Sequence, residues 1–345
     1  MTIPPPHRLR LDGAALVANW LWLKNQGGSA ACGAAVKADG YGLGAREVVA
    51  RLAAAGCRDF FTATWAEAEA LMPLPEGARL SVLHGVRAED MAAARTLDAR
   101  PVLNSIEQLM RWRDANGGAC DVMIDTGINR LGLPPADWAA LEGLEIDTLM
   151  SHLACADEDS ARNAAQHKAF VEVAGRVPHR RLSLANSAGI CLGADYAFDL
   201  TRPGLALYGG VPRDEALGHI RQVAFPEAQI LQRRIAPAGE SVGYNGIWTA
   251  ECDTEIAILN IGYGDGILRG FSNRGTASTE GRTLPFIGRV SMDLIAIDIT
   301  AAPELGEGDW VTIDYALPEA SAASGIAQYE LLTSLGRRFE RYWVD

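Results

Sequence analysis

From Leu16 to about Pro226, short apolar runs alternate with stretches in which apolar residues recur at helical spacing. The runs are Ala34-Ala35-Val36, Phe60-Phe61-Thr62-Ala63, Leu80-Ser81-Val82-Leu83, Pro101-Val102-Leu103, Asp121-Val122-Met123-Ile124, Asp147-Thr148-Leu149-Met150, Leu182-Ser183-Leu184 and Phe198-Asp199-Leu200. Their continuous apolarity suits parallel strands buried on both faces. Between them the spacing predicts helices over 45–55 (Val48, Val49 and Leu52 on one face, Gly56 as the stop), 67–72, 89–97, 106–115 and 161–174. A first helix over 16–24 places Leu16, Trp20 and Leu23 on one apolar face. This alternation predicts an α/β fold, a (β/α)8 TIM-like barrel. A doubly wound sheet would give the same pattern. The barrel is preferred because eight strands can be counted and no Gly-x-Gly-x-x-Gly turn follows the first.

The texture changes near Pro226. Period-two runs follow at Glu255–Leu259, Leu294–Ile299 and Trp310–Ile313, with Gly and Pro turns between them and a closing helix over 328–339. The expected organisation is therefore a barrel domain over 1–225 and a smaller, mainly β C-terminal domain over 226–345.

Composition narrows the function. A length of 345 residues suits one large and one small domain. A net charge of −12 argues against nucleic acid or anionic membrane as a main partner. Arg233-Arg234 and Arg337-Arg338 read as solvated surface. The six cysteines are scattered without a Cys-x-x-Cys pair, as reduced thiols are, and the histidines show no metal-ligand spacing. No apolar core of a leader stands in Met1–Arg8 and no run is long enough to span a bilayer, so a cytoplasmic protein is expected.

Barrel enzymes gather chemistry at the C-terminal ends of their strands. There stand Lys37, Asp125 and Arg130, His152, Asn186 and Ser187, and Arg202, which together suit a small anionic ligand. Lys37 sits where an interior strand ends, followed by Gly40, Gly42 and Gly44 around Tyr41. Burial would lower its pKa, as an amine needs to form a Schiff base. A strand-capping lysine reaching for solvent before a glycine turn is the competing reading.

The segment Val36-Lys37-Ala38-Asp39-Gly40-Tyr41-Gly42-Leu43-Gly44 closely resembles the cofactor lysine segment of alanine racemases, which depend on pyridoxal phosphate. At least six ordered motifs between Leu11 and Tyr342 are similar to that family's. The resemblance implies that Lys37 carries the cofactor as an internal aldimine. Tyr41, Ser187, Gly204, Leu205 and Tyr329 would hold its phosphate, with Asn186 and His152 also in the cofactor site, and Arg202 would face the pyridine nitrogen. A guanidinium can only donate, so that nitrogen would stay unprotonated and the ring a weaker electron sink. Taken alone, a strand-end histidine such as His152 is more often a hydrogen-bonded core residue.

Racemisation needs a base on each face of the substrate's Cα. The resemblance supplies Tyr244, in Val242-Gly243-Tyr244-Asn245, opposite Lys37. Its hydroxyl, ordinarily titrating near ~10, needs a nearby cation, and Arg130 is implied. Arg130 and Met292 would bind the substrate carboxylate, and Asp157, Tyr263, Arg269 and Arg289 would line the entry corridor. The family arrangement further implies a homodimer with shared active sites. The expected function is an alanine racemase interconverting L- and D-alanine and supplying D-alanine for peptidoglycan.

One position departs from the family pattern. Many members carry a carbamylated lysine seven residues before the Arg130 equivalent, where Met123 stands here. A racemase of another amino acid, such as serine, remains an alternative, because a small apolar pocket rejects an added hydroxyl weakly. A related decarboxylase fits the Tyr244 and Met292 motifs badly. A non-catalytic cofactor-binding protein would lack the second domain.

Overall fold

The computed structural model describes residues 5–345. Part of the segment read for a leader, Met1–Pro4, lies outside the described residues. The order of elements is β1 (His7–Asp12), α1 (Gly13–Gln26), β2 (Ala31–Cys32), β3 (Ala34–Ala35), α2 (Lys37–Tyr41), α3 (Ala45–Ala54), β4 (Asp59–Thr62), α4 (Trp65–Leu71), β5 (Arg79–Val82), α5 (Met91–Thr96), β6 (Arg100–Leu103), α6 (Ile106–Asp114), β7 (Cys120–Met123), β8 (Ile146–Met150), α7 (Ala161–Ala174), β9 (Arg181–Ser183), α8 (Ser187–Cys191) and β10 (Leu200–Thr201). Then come β11 (Ala224–Ala236), β12 (Thr254–Leu259), β13 (Thr276–Thr279), β14 (Arg282–Ile287), β15 (Ile295–Asp298), β16 (Trp310–Ile313), α9 (Leu317–Ser324), α10 (Gln328–Ser334) and β17 (Glu340–Val344). Two compact units result. One comprises residues 16–207 and 211–221; β1, residues 208–210 and 222–345 belong to the other.

In the first unit, β3 to β9 form a seven-stranded parallel sheet in sequence order, and β10 pairs in parallel with β2. Backbone bonds from Asp199 N to Leu182 O and from Arg202 N to Ala185 O run toward the β9 side, and Ala35 N donates to Pro203 O. Phe61, Val102, Met123, Met150 and Leu200, from five different strands, form one buried apolar cluster. Polar caps start the helices: Thr64 and Glu67 make a capping box on α4, and Ser105, Ser160 and Asn186 cap α6, α7 and α8.

The opposite ends of these strands carry charge. Asp59 accepts from Arg79 at 3.0 and 2.8 Å and from Arg181 at 3.0 Å. Arg181 reaches Asp147 at 2.8 Å, and Arg100 bridges Asp147 (3.2 Å) to Asp121 (3.7 Å). Asp121, fully buried, also takes the Ser81 hydroxyl at 2.6 Å and the Thr148 N–H at 3.0 Å. Burial pushes its carboxyl up against the pull of Arg100.

The second unit is built on an eight-stranded sheet ordered β12-β15-β14-β13-β16-β11-β1-β17. The sequence reading put residues 1–225 together, whereas β1 pairs here with β11 (Leu9 opposite Pro226) and β17 (Leu9 opposite Arg341). The helix expected over 328–339 ends at Ser334. Gly336 then passes so close to the chain at 264–265 that a Cβ would lie 3.0 Å from Gly264 O, and its N–H bonds Asp265 O at 3.0 Å. Arg338, read as surface, is exposed and also holds Asp265 with two bonds of 2.7 and 2.8 Å and Asp293 with a third of 2.7 Å. Arg233 likewise pairs with Glu255.

Candidate active site

Lys37 stands just after β3, half-buried, and begins a left-handed turn. Ala38 (φ 53°, ψ 47°), Asp39 (53°, 50°), Gly40 (62°, 44°) and Tyr41 (φ 55°) all have positive φ. Left-handed backbone costs about 1–2 kcal/mol per ordinary L-residue and is usually visited singly, so a run of four must be held by its surroundings. Gly42 N bonds Ala38 O and Gly44 N bonds Asp39 O, both at 2.9 Å. The Asp39 carboxylate takes the Ala45 N–H at 2.8 Å, at the start of α3. Burial lowers the Lys37 pKa, Arg130 lowers it further, and Glu67 pulls it back up.

The loop after β7 is wound on Asp125. Its Oδ1 accepts from the N–H groups of Gly127, Ile128 and Asn129 at 2.8, 2.9 and 3.1 Å, and its Oδ2 from Arg130 N at 2.9 Å. Burial opposes ionisation, yet these four donors leave the carboxyl below its ordinary range. Gly132 (φ +134°) closes the loop where a Cβ would lie 2.6 Å from Asp125 N. Arg130 itself is exposed. Gln166, on α7, braces the neighbouring strand end through the His152 carbonyl (3.1 Å), the Thr126 hydroxyl (3.3 Å) and the Ala154 N–H (2.8 Å).

His152 and Arg202 flank the same region. Burial first, then the charges of Arg202, Arg130 and Lys37, depress the His152 pKa to about 3, so its imidazole is neutral at pH 7. Arg202 donates to the Ser183 hydroxyl and, at 2.6 Å, to Ser151 O. Burial lowers its pKa to about 10, partly offset by Asp121, and it remains cationic.

Ser187, buried at the start of α8, accepts from Gly204 N at 3.0 Å and Ala206 N at 3.2 Å. The Tyr41 ring lies over Gly204 so closely that a Cβ there would fall 2.2 Å from the hydroxyl. Two hydroxyls and two backbone N–H groups thus meet beside a position that admits no side chain. Leu205 opens the following helical turn, and Asn186 is engaged by Gly189 N at 2.8 Å. Asp157 is exposed on the loop before α7, whose carbonyls at Cys155 and Glu158 are held by Asn163 at 3.0 Å each.

The remaining sequence-predicted residues belong to the second unit. Tyr244, Met292 and Tyr329 are exposed by 65%, 55% and 46%. Tyr244 lies in a tight turn between Gly243 (φ +80°) and Asn245 (φ +64°), not in a regular strand. Tyr263 N bonds Ser291 O and Gly264 N bonds Met292 O, both at 2.9 Å, which joins the Tyr263 and Met292 segments. The Arg269 guanidinium stacks 5.1 Å from the Tyr263 ring centroid, and Arg289 is partly buried.

The sequence profile of the alanine racemase N-terminal domain matches residues 11–212 and that of the C-terminal domain residues 223–343. An alanine racemase of Acidiphilium cryptum is 42% identical over 96% of this chain and 97% of its own. A catabolic alanine racemase of Agrobacterium fabrum is also 42% identical, over 98% and 92%. The chain belongs to the alanine racemase family. Among solved structures, the alanine racemase of Bartonella henselae with covalently bound pyridoxal phosphate superposes with a TM-score of 0.91 at 35% identity, covering 99% of this chain and 100% of its own. The biosynthetic alanine racemase of Pseudomonas aeruginosa gives 0.90 at 32% identity, with coverage of 99% and 100%.

Against the family pattern, Met123 is 7% exposed and packs in the apolar cluster, so that position offers Arg130 no polar contact. Asp125 fixes the Arg130 backbone from the other side of the loop. Sequence reasoning missed Glu67, whose carboxylate reaches the Lys37 turn. The spacing Thr64-x-x-Glu67 was a visible capping-box signal, but nothing in it points to Lys37.

Proposed function

We propose that this chain is a pyridoxal-phosphate-dependent alanine racemase, interconverting L- and D-alanine and supplying D-alanine for peptidoglycan, and that it works in the cytoplasm as a homodimer with shared sites. The observation that carries the reading is the company of Lys37. A lysine of lowered pKa shares its electrostatic environment with Arg130, and His152 feels Arg202, Arg130 and Lys37 together. In this reading the seven-stranded sheet and β10 close a (β/α)8 barrel within 16–221 that carries the cofactor, and the unit built on β1 and 222–345 carries Tyr244 and Met292.

The residues present suit the cofactor. The Ser187 and Tyr41 hydroxyls lie beside the Gly204 and Ala206 N–H groups, which donate here to Ser187 Oγ, and this set of donors matches the acceptor oxygens of a phosphate. Arg202 would donate to the ring nitrogen, Lys37 would hold the cofactor covalently, and Leu205, Asn186, His152 and Tyr329 would complete the site. When bound, pyridoxal phosphate supplies an electron sink that acidifies the substrate's Cα hydrogen.

Lys37 Nζ would carry the proton on one face of the substrate and the Tyr244 hydroxyl on the other. Arg130 and the Met292 backbone would orient the substrate carboxylate, and Asp157, Tyr263, Arg269 and Arg289 would frame the approach. A neutral His152 adds no charge near the amine, and burial with Arg130 favours the unprotonated form of Lys37.

The test is L-alanine in deuterated water with the holoenzyme, followed by chiral separation and mass analysis. Deuterated alanine of both hands is expected. Exchange of serine without alanine would move the substrate assignment. No exchange on any amino acid, or covalent cofactor retained by Lys37→Ala, would overturn the reading.

A further inference from the structure

Glu67 makes more contacts than a helix cap requires. As the fourth residue of the Thr64-x-x-Glu67 capping box it receives the Thr64 N–H at 3.3 Å, the longest of its bonds. The same oxygen, Oε2, takes the Ala63 N–H at 2.7 Å, at the end of β4. The other, Oε1, takes the Ala38 N–H at 2.8 Å, across to the residue following Lys37. Further bonds that close the left-handed turn run within residues 36–45. From the same place the carboxylate acts on the Lys37 amine.

Resting on the racemase reading, we propose that Glu67 is a positioning residue for Lys37: its carboxylate clamps the turn after Lys37 to the start of α4 and presents negative charge to the Lys37 amine. The clamp fixes where the lysine side chain leaves the backbone. The charge offsets the Arg130 guanidinium, which bears on the amine from the loop after β7. His152 at the end of β8 is neutral, Arg202 stands beyond β10, and Asp39 is committed to the start of α3. Glu67 is the anion among these neighbours that raises the Lys37 pKa. Without it, burial and Arg130 act unopposed and the amine loses its proton at lower pH.

The test compares apoenzymes of the wild type, Glu67→Gln and Glu67→Asp as they capture added pyridoxal phosphate between about pH 6 and 10, a span chosen to bracket a lowered lysine pKa. Capture is followed by absorbance, and the linkage is trapped with borohydride and located by mass. Glu67→Gln keeps one acceptor oxygen but no charge. Its capture midpoint should move to lower pH by about half a unit or more, and it should hold the cofactor several-fold more weakly. Glu67→Asp keeps the charge and should leave the midpoint near the wild type's while shortening the clamp. A folded Glu67→Gln with unchanged midpoint and affinity would overturn the proposal. So would weaker capture at every pH without a shifted midpoint, which is the signature of a purely structural role. A wild type that fails to capture the cofactor at Lys37 overturns the racemase reading and this inference together, whereas capture by wild type with no effect at Glu67 overturns the inference alone.

Discussion

His152 shows how the site sets charge residue by residue. Its imidazole is held neutral first by burial and then by three cations, with a pKa near 3 against an ordinary value of 6.5. The unfolded chain therefore takes up a proton below about pH 6.5 that the native chain refuses, and stability falls as pH drops from there toward 3. The slope is up to about 1.4 kcal/mol per pH unit. Denaturant unfolding at pH 7.5 and pH 5 should show the wild type losing about 2 kcal/mol more than His152→Gln over this interval; equal losses would remove His152 as the titrating group. Tyr244 gives a second test. If Lys37 and Tyr244 serve opposite faces, Tyr244→Phe should slow exchange from one alanine enantiomer by about 100-fold or more, the range of general acid–base catalysis, and the other far less in single-turnover experiments. Symmetric small losses would remove Tyr244 from the chemistry. Lys37, His152 and Arg202 were legible in the sequence because each ends a recognisable apolar run. Glu67 was not, since its partner Ala38 is 29 positions away and contributes only a backbone N–H.

Along the parallel strands, the two ends have different work. The C-terminal ends carry Lys37, His152 and Arg202; the N-terminal ends carry the paired charges of Asp59, Arg79, Arg100, Asp121, Asp147 and Arg181. Conservation of the fold should depend on the latter and chemistry on the former. Asp59→Ala leaves Arg181, itself largely buried, with Asp147 as its carboxylate partner and takes Asp59 from Arg79, a loss of charge-assisted bonds worth about 1–3 kcal/mol. Thermal and denaturant unfolding of this variant should report that loss, while kcat of the folded fraction stays near the wild type's; an unchanged midpoint would demote the network to surface decoration. The parallel strands were read within one or two residues because their apolar runs are continuous and bounded by turns. The second unit was read less well. β1, His-Arg-Leu-Arg-Leu-Asp, alternates clearly, and its burial alternates with it, but its partners lie more than 200 residues away at β11 and β17. Pro226, where the hydrophobic texture changes, lies inside β11, opposite Leu9. The final helix stopped early because Gly336 had to pass close to the 264–265 backbone, a tertiary demand that helical spacing cannot express.

At the scale of the whole molecule, exposure of the second unit's proposed site residues is the feature that bears on assembly. Tyr244, Met292 and Tyr329 are large, partly apolar and exposed, and Ile247 and Leu294 beside the first two are 38% and 41% exposed. Leaving such side chains in water forgoes the burial that large hydrophobic groups ordinarily gain. A second copy of the chain bringing these residues over its partner's Lys37 would cover them and complete both sites, in keeping with an isologous two-fold interface. Complementation separates this from a site within one chain. In such an assembly Lys37→Ala would lack one proposed proton carrier and Tyr244→Phe the other, so each homodimer would be defective at both sites. In a mixed dimer, the Lys37 of the Tyr244→Phe chain faces the intact Tyr244 of the Lys37→Ala chain, and one of the two sites is whole. Random re-assortment of equal amounts makes half of the dimers mixed, so activity should recover to about a quarter of the wild type's. If the site used both residues of a single chain, no re-assortment could restore it, and the mixture would stay as slow as the average of its parents.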